Sequence, residues 1–247
     1  MPKNNCGQYV NLFINGYVKA RGIDPIANII VIVLKFNSIN VTPSAGKVIQ
    51  FDSGADGFET ASGGGSIKFI KKLTASSSGT LSFVDGTSSV VLDSTYKEYL
   101  FIFKDIHPSS DAAYLTFQGS TNSGSSYGVT ITSSAFDTAH LEDDSYTKLS
   151  YNTSTDLAQS TDFQQLRRDI GNDNDQSCAG YLHLFNPSST TFVKHFMSIG
   201  TANRSDNGTG TDFIGGYFNT TSAIDAIQFK MASGNIDAGT ITLYGIN

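Results

Sequence analysis

The chain has 247 residues and a formal net charge of −6, and only 15% of it is charged, well below the roughly 25% of an ordinary soluble domain. Its 31 Ser, 24 Thr and 24 Gly fill that gap, and 19 Asp stand against only 3 Glu. Because Glu favours helices whereas Asp, Ser and Gly favour turns and caps, this balance argues against a largely helical protein, and the 39% hydrophobic content argues against a disordered one.

No signal-peptide apolar region follows Met1-Pro2-Lys3-Asn4-Asn5, so the protein is expected to be made in a cytoplasm and to leave it by lysis if at all. The run Ile29-Ile30-Val31-Ile32-Val33-Leu34 is far short of the roughly 20 residues that cross a bilayer. It reads as a strand buried on both faces. Lys47–Phe51 reads as a second strand. Ser62-Gly63-Gly64-Gly65 then makes a flexible joint, which divides the chain into an N-terminal segment, 1–63, and a larger domain, 64–247.

In the larger domain Ile67, Phe69 and Leu73 alternate with lysines, and Thr80–Val84 runs into Asp85-Gly86, a hairpin signal. Tyr99–Phe103 is apolar on both faces and is expected to be a central strand. Ala113, Leu115 and Phe117 should face inward on the next one. The segment 161–170 breaks the pattern. Thr161 followed by Gln164 is a capping box and Gly171-Asn172 is a stop, so the spacing predicts a short helix. Strands resume at Tyr181–Phe185, Phe192–Ile199 and Phe213–Phe218. Last come Ile227, Phe229 and Met231, then Ile241 and Leu243, each set alternating with polar residues. Many short strands separated by turn clusters predict an all-β fold, an antiparallel β-sandwich of jelly-roll type, with a β-rich N-terminal docking segment.

Candidate chemistry is thin. His183 and His195 sit on separate apolar strands and read as packed rather than metal-ligating. No His-Glu-x-x-His pattern occurs, and no nucleophile elbow is expected. Asp173, Asp175 and Ser177 imitate the start of a calcium loop, but Cys178 and Leu184 stand where such a loop needs glycine and glutamate. Glu142-Asp143-Asp144 and Gly208–Asp212 read as solvated turns. Cys6 and Cys178 read as free buried thiols. With no Trp, a sugar-binding face would have to use tyrosines at loop edges, such as Tyr127, Tyr146 and Tyr151. The sequons at Asn40, Asn152, Asn203, Asn207 and Asn219 are expected by chance in so Ser-, Thr- and Asn-rich a chain. No catalytic, cofactor-binding or metal-binding residue is assigned, no cofactor is expected, and the chain reads as a non-enzyme. No basic run exceeds Lys71-Lys72 or Arg167-Arg168, so neither a nucleic-acid partner nor membrane insertion is expected.

The run Gly180-Tyr181-Leu182-His183-Leu184-Phe185-Asn186-Pro187 with Lys194-His195-Phe196 resembles structural proteins of tailed bacteriophages that infect marine bacteria. So do Ile224–Phe229, Gly239–Ile246 and the stretch Tyr96–Phe103 with Asp105-Ile106-His107-Pro108. The likeness covers roughly residues 80–247. It implies a virion component, either tail or fibre protein or head decoration. Its work would be assembly and host attachment, as a homotrimer whose partners are other virion proteins and a host-surface glycan or receptor. A carbohydrate-binding module or glycan depolymerase is the alternative.

Overall fold

The computed structural model describes residues 47–51, 58–62 and 66–247. The chain divides into two compact units, residues 1–64 and 65–247. In the first, β1 (Lys47–Phe51) and β2 (Phe58–Ser62) pair antiparallel, Lys47 opposite Ser62 and Phe51 opposite Phe58. β1 has the bounds read from sequence. The expected strand at 29–34 lies outside the described residues, as does Cys6.

The second unit holds twelve strands and, among the described residues, no helix. They are β3 (Ile67–Thr74), β4 (Leu81–Val84), β5 (Glu98–Pro108), β6 (Ala113–Ser120), β7 (Ile131–Leu141), β8 (Thr147–Tyr151), β9 (Gln164–Ile170), β10 (Cys178–Phe185), β11 (Lys194–Arg204), β12 (Gly208–Phe218), β13 (Ala226–Met231) and β14 (Ile236–Ile246). All pair antiparallel in one hydrogen-bonded sheet. From β11 the sheet forks. One arm runs β12-β7-β8. The other passes through a single pair, Arg204 opposite Ile170, into β9-β6-β13-β4. An isolated bridge at Ile131–Ser160 ties β7 to the segment leading into β9, another at Ser78–Ile236 ties the segment before β4 to β14, and the sheet curls until it nearly closes into a barrel.

The curl brings apolar faces together. Phe83 meets Phe101 at 5.3 Å between ring centroids, Phe101 meets Phe229 at 5.4 Å, and Phe117 meets Phe196 at 5.0 Å. These are the edge-on and tilted arrangements that aromatic rings prefer. The inward residues are those that the period-2 pattern selects: Tyr99, Phe101, Phe103, Leu115, Phe117, Ile227, Phe229, Ile241 and Leu243 are all buried. β5 lies between β14 and β10, as its two-sided apolar pattern requires. It bends at Asp105, whose φ is 53°. There the facing strand carries Gly239 at φ 108°, and a Cβ on Gly239 would lie 2.4 Å from the Asp105 carbonyl oxygen. Only glycine fits so close a backbone approach at that φ.

Three expectations fail. Gly208–Asp212, read as a solvated turn, is the start of strand β12, and its Asp212 is buried. Asp85-Gly86 does turn the chain, with Gly86 at φ 72°, but β4 pairs with β13 and not with the next strand, so no hairpin forms. The expected helix at 161–170 is the strand β9. Its capping box is diverted. The Gln164 side chain is buried, its Nε2 donating to the Thr155 carbonyl and its Oε1 accepting from Ser133 Oγ. The next residues are pulled into the sheet by long-range ion pairs.

Candidate functional site

Three features of the larger unit could carry function: an ionic cluster inside it, a hollow at one end, and the outer face of its longest run of strands.

The cluster begins with a register. Asp137 on β7 and Asp212 on β12 stand directly opposite each other, and both are buried. Two neighbouring carboxylates in a core are costly unless cations meet them. β9 supplies two. Arg167 Nη1 lies 2.7 Å from Asp212 Oδ2, and Arg168 Nη2 lies 2.7 Å from Asp137 Oδ2. Lys148 Nζ from β8 lies 3.0 Å from Asp137 Oδ2, and the Arg168 backbone N–H donates to Asp212 at 3.1 Å. Burial alone would raise the Asp137 carboxyl, but the Lys148 hydrogen bond and the Arg168 and Lys148 charges outweigh it and hold it below the usual carboxylate range. A carboxyl so held is a poor general acid. The cluster instead clamps β7, β8, β9 and β12 together. Arg167 is among the most buried side chains, and its Nε and Nη2 make no hydrogen bond. The sequence showed only a basic pair here and gave no sign of its partners.

The hollow, of about 350 Å3, is lined by Thr121, Ser126, Tyr127, Thr130, Asn219 and Thr220 among others. Beside it Lys194 Nζ donates to the Thr220 carbonyl at 3.0 Å, and burial lowers the pKa of its ammonium. Of the three loop-edge tyrosines only Tyr127 lines this hollow. Tyr151 lies on β8, and Tyr146 sits in the turn before it.

The other sequence candidates do not converge. His183 and His195 share the outer face, not the core. His183 Nε2 is 2.9 Å from Glu98 Oε2 and its ring stacks on Phe185, while His195 packs against Tyr217. Asp173 is tied into a turn by Gln176. Asp143 accepts from Ser145, which lowers its carboxyl pKa. The thiol of Cys178 is free and buried, and burial pushes it up to about 12. Among the described residues no three His, Cys, Asp or Glu side chains gather as a metal site would need, and no helix is long and apolar enough to cross a membrane.

The outer face spans β5, β10, β11, β12, β7 and β8. Cross-strand register aligns one row of six residues across it: Ile102, Tyr181, Ile199, Phe213, Phe136 and Tyr151. Phe136 and Phe213 stack at 4.6 Å with their planes 6° apart. From β10 through β8 no outward position holds Asp, Glu, Lys or Arg. The arm β9-β6-β13-β4 differs. There Gln118 on β6 is buried on the outward side and its Nε2 donates to the carbonyls of Thr161 and Asp162, so the chain covers this position with its own loop.

No family model matches the chain, and no curated protein matches it. A crystal structure of a protein of unknown function from Bacteroides ovatus is similar at 9% identity with a TM-score of 0.23, over 42% of this chain and 45% of that one. The chain thus spans less than half of that protein's length.

Proposed function

We propose that the chain is a structural protein of a tailed-phage virion, borne on the particle surface, with its larger unit folded as a jelly roll. The strand order carries this reading. Take β3, β4, β5, β6, β9, β10, β13 and β14 as first to eighth. They then stand in the order 1-8-3-6 in one layer (β3-β14-β5-β10) and 2-7-4-5 in the other (β4-β13-β6-β9). This order matches the double Greek key of jelly rolls, an architecture common to viral coat and lectin domains, and so supports the reading. The hairpins β7–β8 and β11–β12 are insertions that widen the first layer. Fold alone does not assign function. The virion role comes from the resemblance of residues 80–247 to phage structural proteins, with the N-terminal segment as the part that docks to the particle.

Mass spectrometry and immunogold labelling of purified particles test this reading. The chain should appear in washed particles in many copies. Its restriction to the soluble lysate would refute the proposal.

The hollow beside Tyr127 favours one second reading, a carbohydrate-binding module. Hydroxyl and amide groups from Thr130, Asn219 and Ser126 surround a space near the lower end of ligand-pocket sizes. A glycan array would have to give a hit that Tyr127→Ala abolishes.

A further inference from the structure

We infer that the uncharged outer face of β10, β11, β12, β7 and β8 is a self-association surface that seats the same face of a second copy across a two-fold axis. This inference does not depend on the virion reading.

Area is the first argument. Ile102, Phe136, Leu149, Tyr151, Tyr181 and Met197 on this face are 38–73% exposed, together roughly 600 Å2 if large side chains present 150–250 Å2 each in full. That is at the top of the roughly 300–600 Å2 that the largest apolar patch of a monomer covers, a size that is often functional. Ile199 and Phe213, partly exposed in the same row, extend this area toward the ~800 Å2 per partner of a standard interface.

Charge is the second. A strongly acidic or basic partner finds no opposite formal charge on these five strands. A second copy needs none. Although the whole chain carries −6, this face meets itself without like-charge repulsion.

Shape is the third. Met197 on β11 is 58% exposed and stands directly opposite Gly215 on β12. A Cβ built on Gly215 meets nothing within 4 Å. A knob therefore sits beside an open spot in the same row. In a two-fold contact, residue i of one copy meets j of the other and j meets i. An axis between β11 and β12 would set each Met197 over the other copy's Gly215. This pairing replaces the three-fold arrangement that the phage resemblance implies, because one face that holds both knob and hole completes itself in two copies.

A sugar platform fits the face less well. Phe136 and Phe213 lie side by side on neighbouring strands and stack on each other, so each turns one ring face toward the other and away from a sugar.

The test uses the full chain. Light scattering at micromolar concentration should give the mass of two copies. Gly215→Lys places a charge at the centre of the face where the monomer has open space, and should shift the mass to one copy with the far-ultraviolet spectrum unchanged. Met197→Asp should do the same. Lys71→Glu, on β3 away from the face, should leave the pair intact. A one-copy mass for the unaltered chain would overturn the inference. So would a three-copy mass, or a two-copy mass that both face variants leave unchanged. A one-copy chain whose Tyr181 and Met197 resist hydroxyl-radical labelling would assign the face to the N-terminal segment. One that floats with phosphatidylcholine vesicles would assign it to lipid. Either result would overturn the inference too.

Discussion

The interior of the larger unit has two dissimilar regions. Around β4, β5, β6 and β13 it is aromatic, with Phe83, Phe101, Phe117 and Phe229 in mutual ring contact. Around β7, β8, β9 and β12 it is ionic, with Asp137 and Asp212 facing each other and three cations around them. Both regions are buried and both join strands far apart in the chain. They differ in how specific the join is. Rings of similar volume can exchange partners at modest cost, whereas a buried carboxylate without its cation is strongly unfavourable. The ionic region thus fixes which strands meet where the sheet forks. The aromatic region supplies the bulk of the apolar burial.

Removing one member of each region tests this directly. Asp212→Ala leaves Arg167 and part of Arg168 unpaired inside and should cost about 3–5 kcal/mol. Phe229→Ala should cost about the same through a cavity. The two should part on rescue. Arg167→Met combined with Asp212→Leu should recover most of the first loss, because a well-packed apolar pair replaces a buried ion pair at little cost. Urea unfolding of the three variants gives the comparison, and no recovery in the double variant would mean that the cluster contributes more than neutralisation.

The next effect is steric and confined to the ionic region. A Cβ on Gly210 would lie 2.4 Å from Arg167 Nη2, and a buried guanidinium paired at 2.7 Å has little room to withdraw. Gly210→Ala should cost about 1–3 kcal/mol, as overpacking does. An unchanged unfolding midpoint would show that the guanidinium can move.

How much of this was legible beforehand follows the same division. Alternation alone selected Ile227, Phe229, Met231, Ile241 and Leu243 as core, because period 2 is a local property. Tyr99–Phe103 announced a central strand for the same reason. The ionic region left no local trace. Asp137 and Asp212 become neighbours only through the pairing of β7 with β12, and without them Arg167-Arg168 is only a short basic pair inside a segment read as a helix. The Thr161/Gln164 spacing reinforced that error, since Gln164 is in fact held by Ser133 and Thr155. The outer row was half legible. Two-faced apolarity at Tyr99–Phe103 and Tyr181–Phe185 showed that something must cover them. That the row continues through Phe213, Phe136 and Tyr151 required the registers.

Acid should separate the two regions more gently. The Asp137 carboxyl is held below its ordinary value by Lys148 and Arg168 against the opposing effect of burial. A group whose folded pKa is depressed contributes fully above its unfolded pKa, about 3.9 for Asp, and loses that contribution as pH falls through the folded value. Stability should therefore fall below about pH 4, and Asp137→Asn, less stable at neutral pH, should show a flatter acid limb. Phe229→Ala should keep the slope of the unaltered chain. Parallel acid limbs for all three would remove Asp137 from the acid response.

The smallest expected effect compares rings inside with rings outside. Phe136 is 46% exposed, so Phe136→Ala opens no cavity within the unit. What it removes is the stack on Phe213 at 4.6 Å, and aromatic pairs contribute about 0.5–1.5 kcal/mol beyond area burial. Phe117→Ala removes a ring that touches Phe196, Phe218 and Phe229 at full burial and should cost about 3–5 kcal/mol. The ratio matters more than either value. If the outer row served only to stabilise its own sheet, Phe136→Ala would cost the same at every protein concentration. If it also seats a second copy, the unfolding midpoint of the unaltered chain rises with concentration, as mass action requires of an associating native state. The Phe136→Ala midpoint should then rise less steeply. Urea midpoints measured across a hundredfold range of concentration read both slopes, and two flat lines would leave Phe136 with only its local stack.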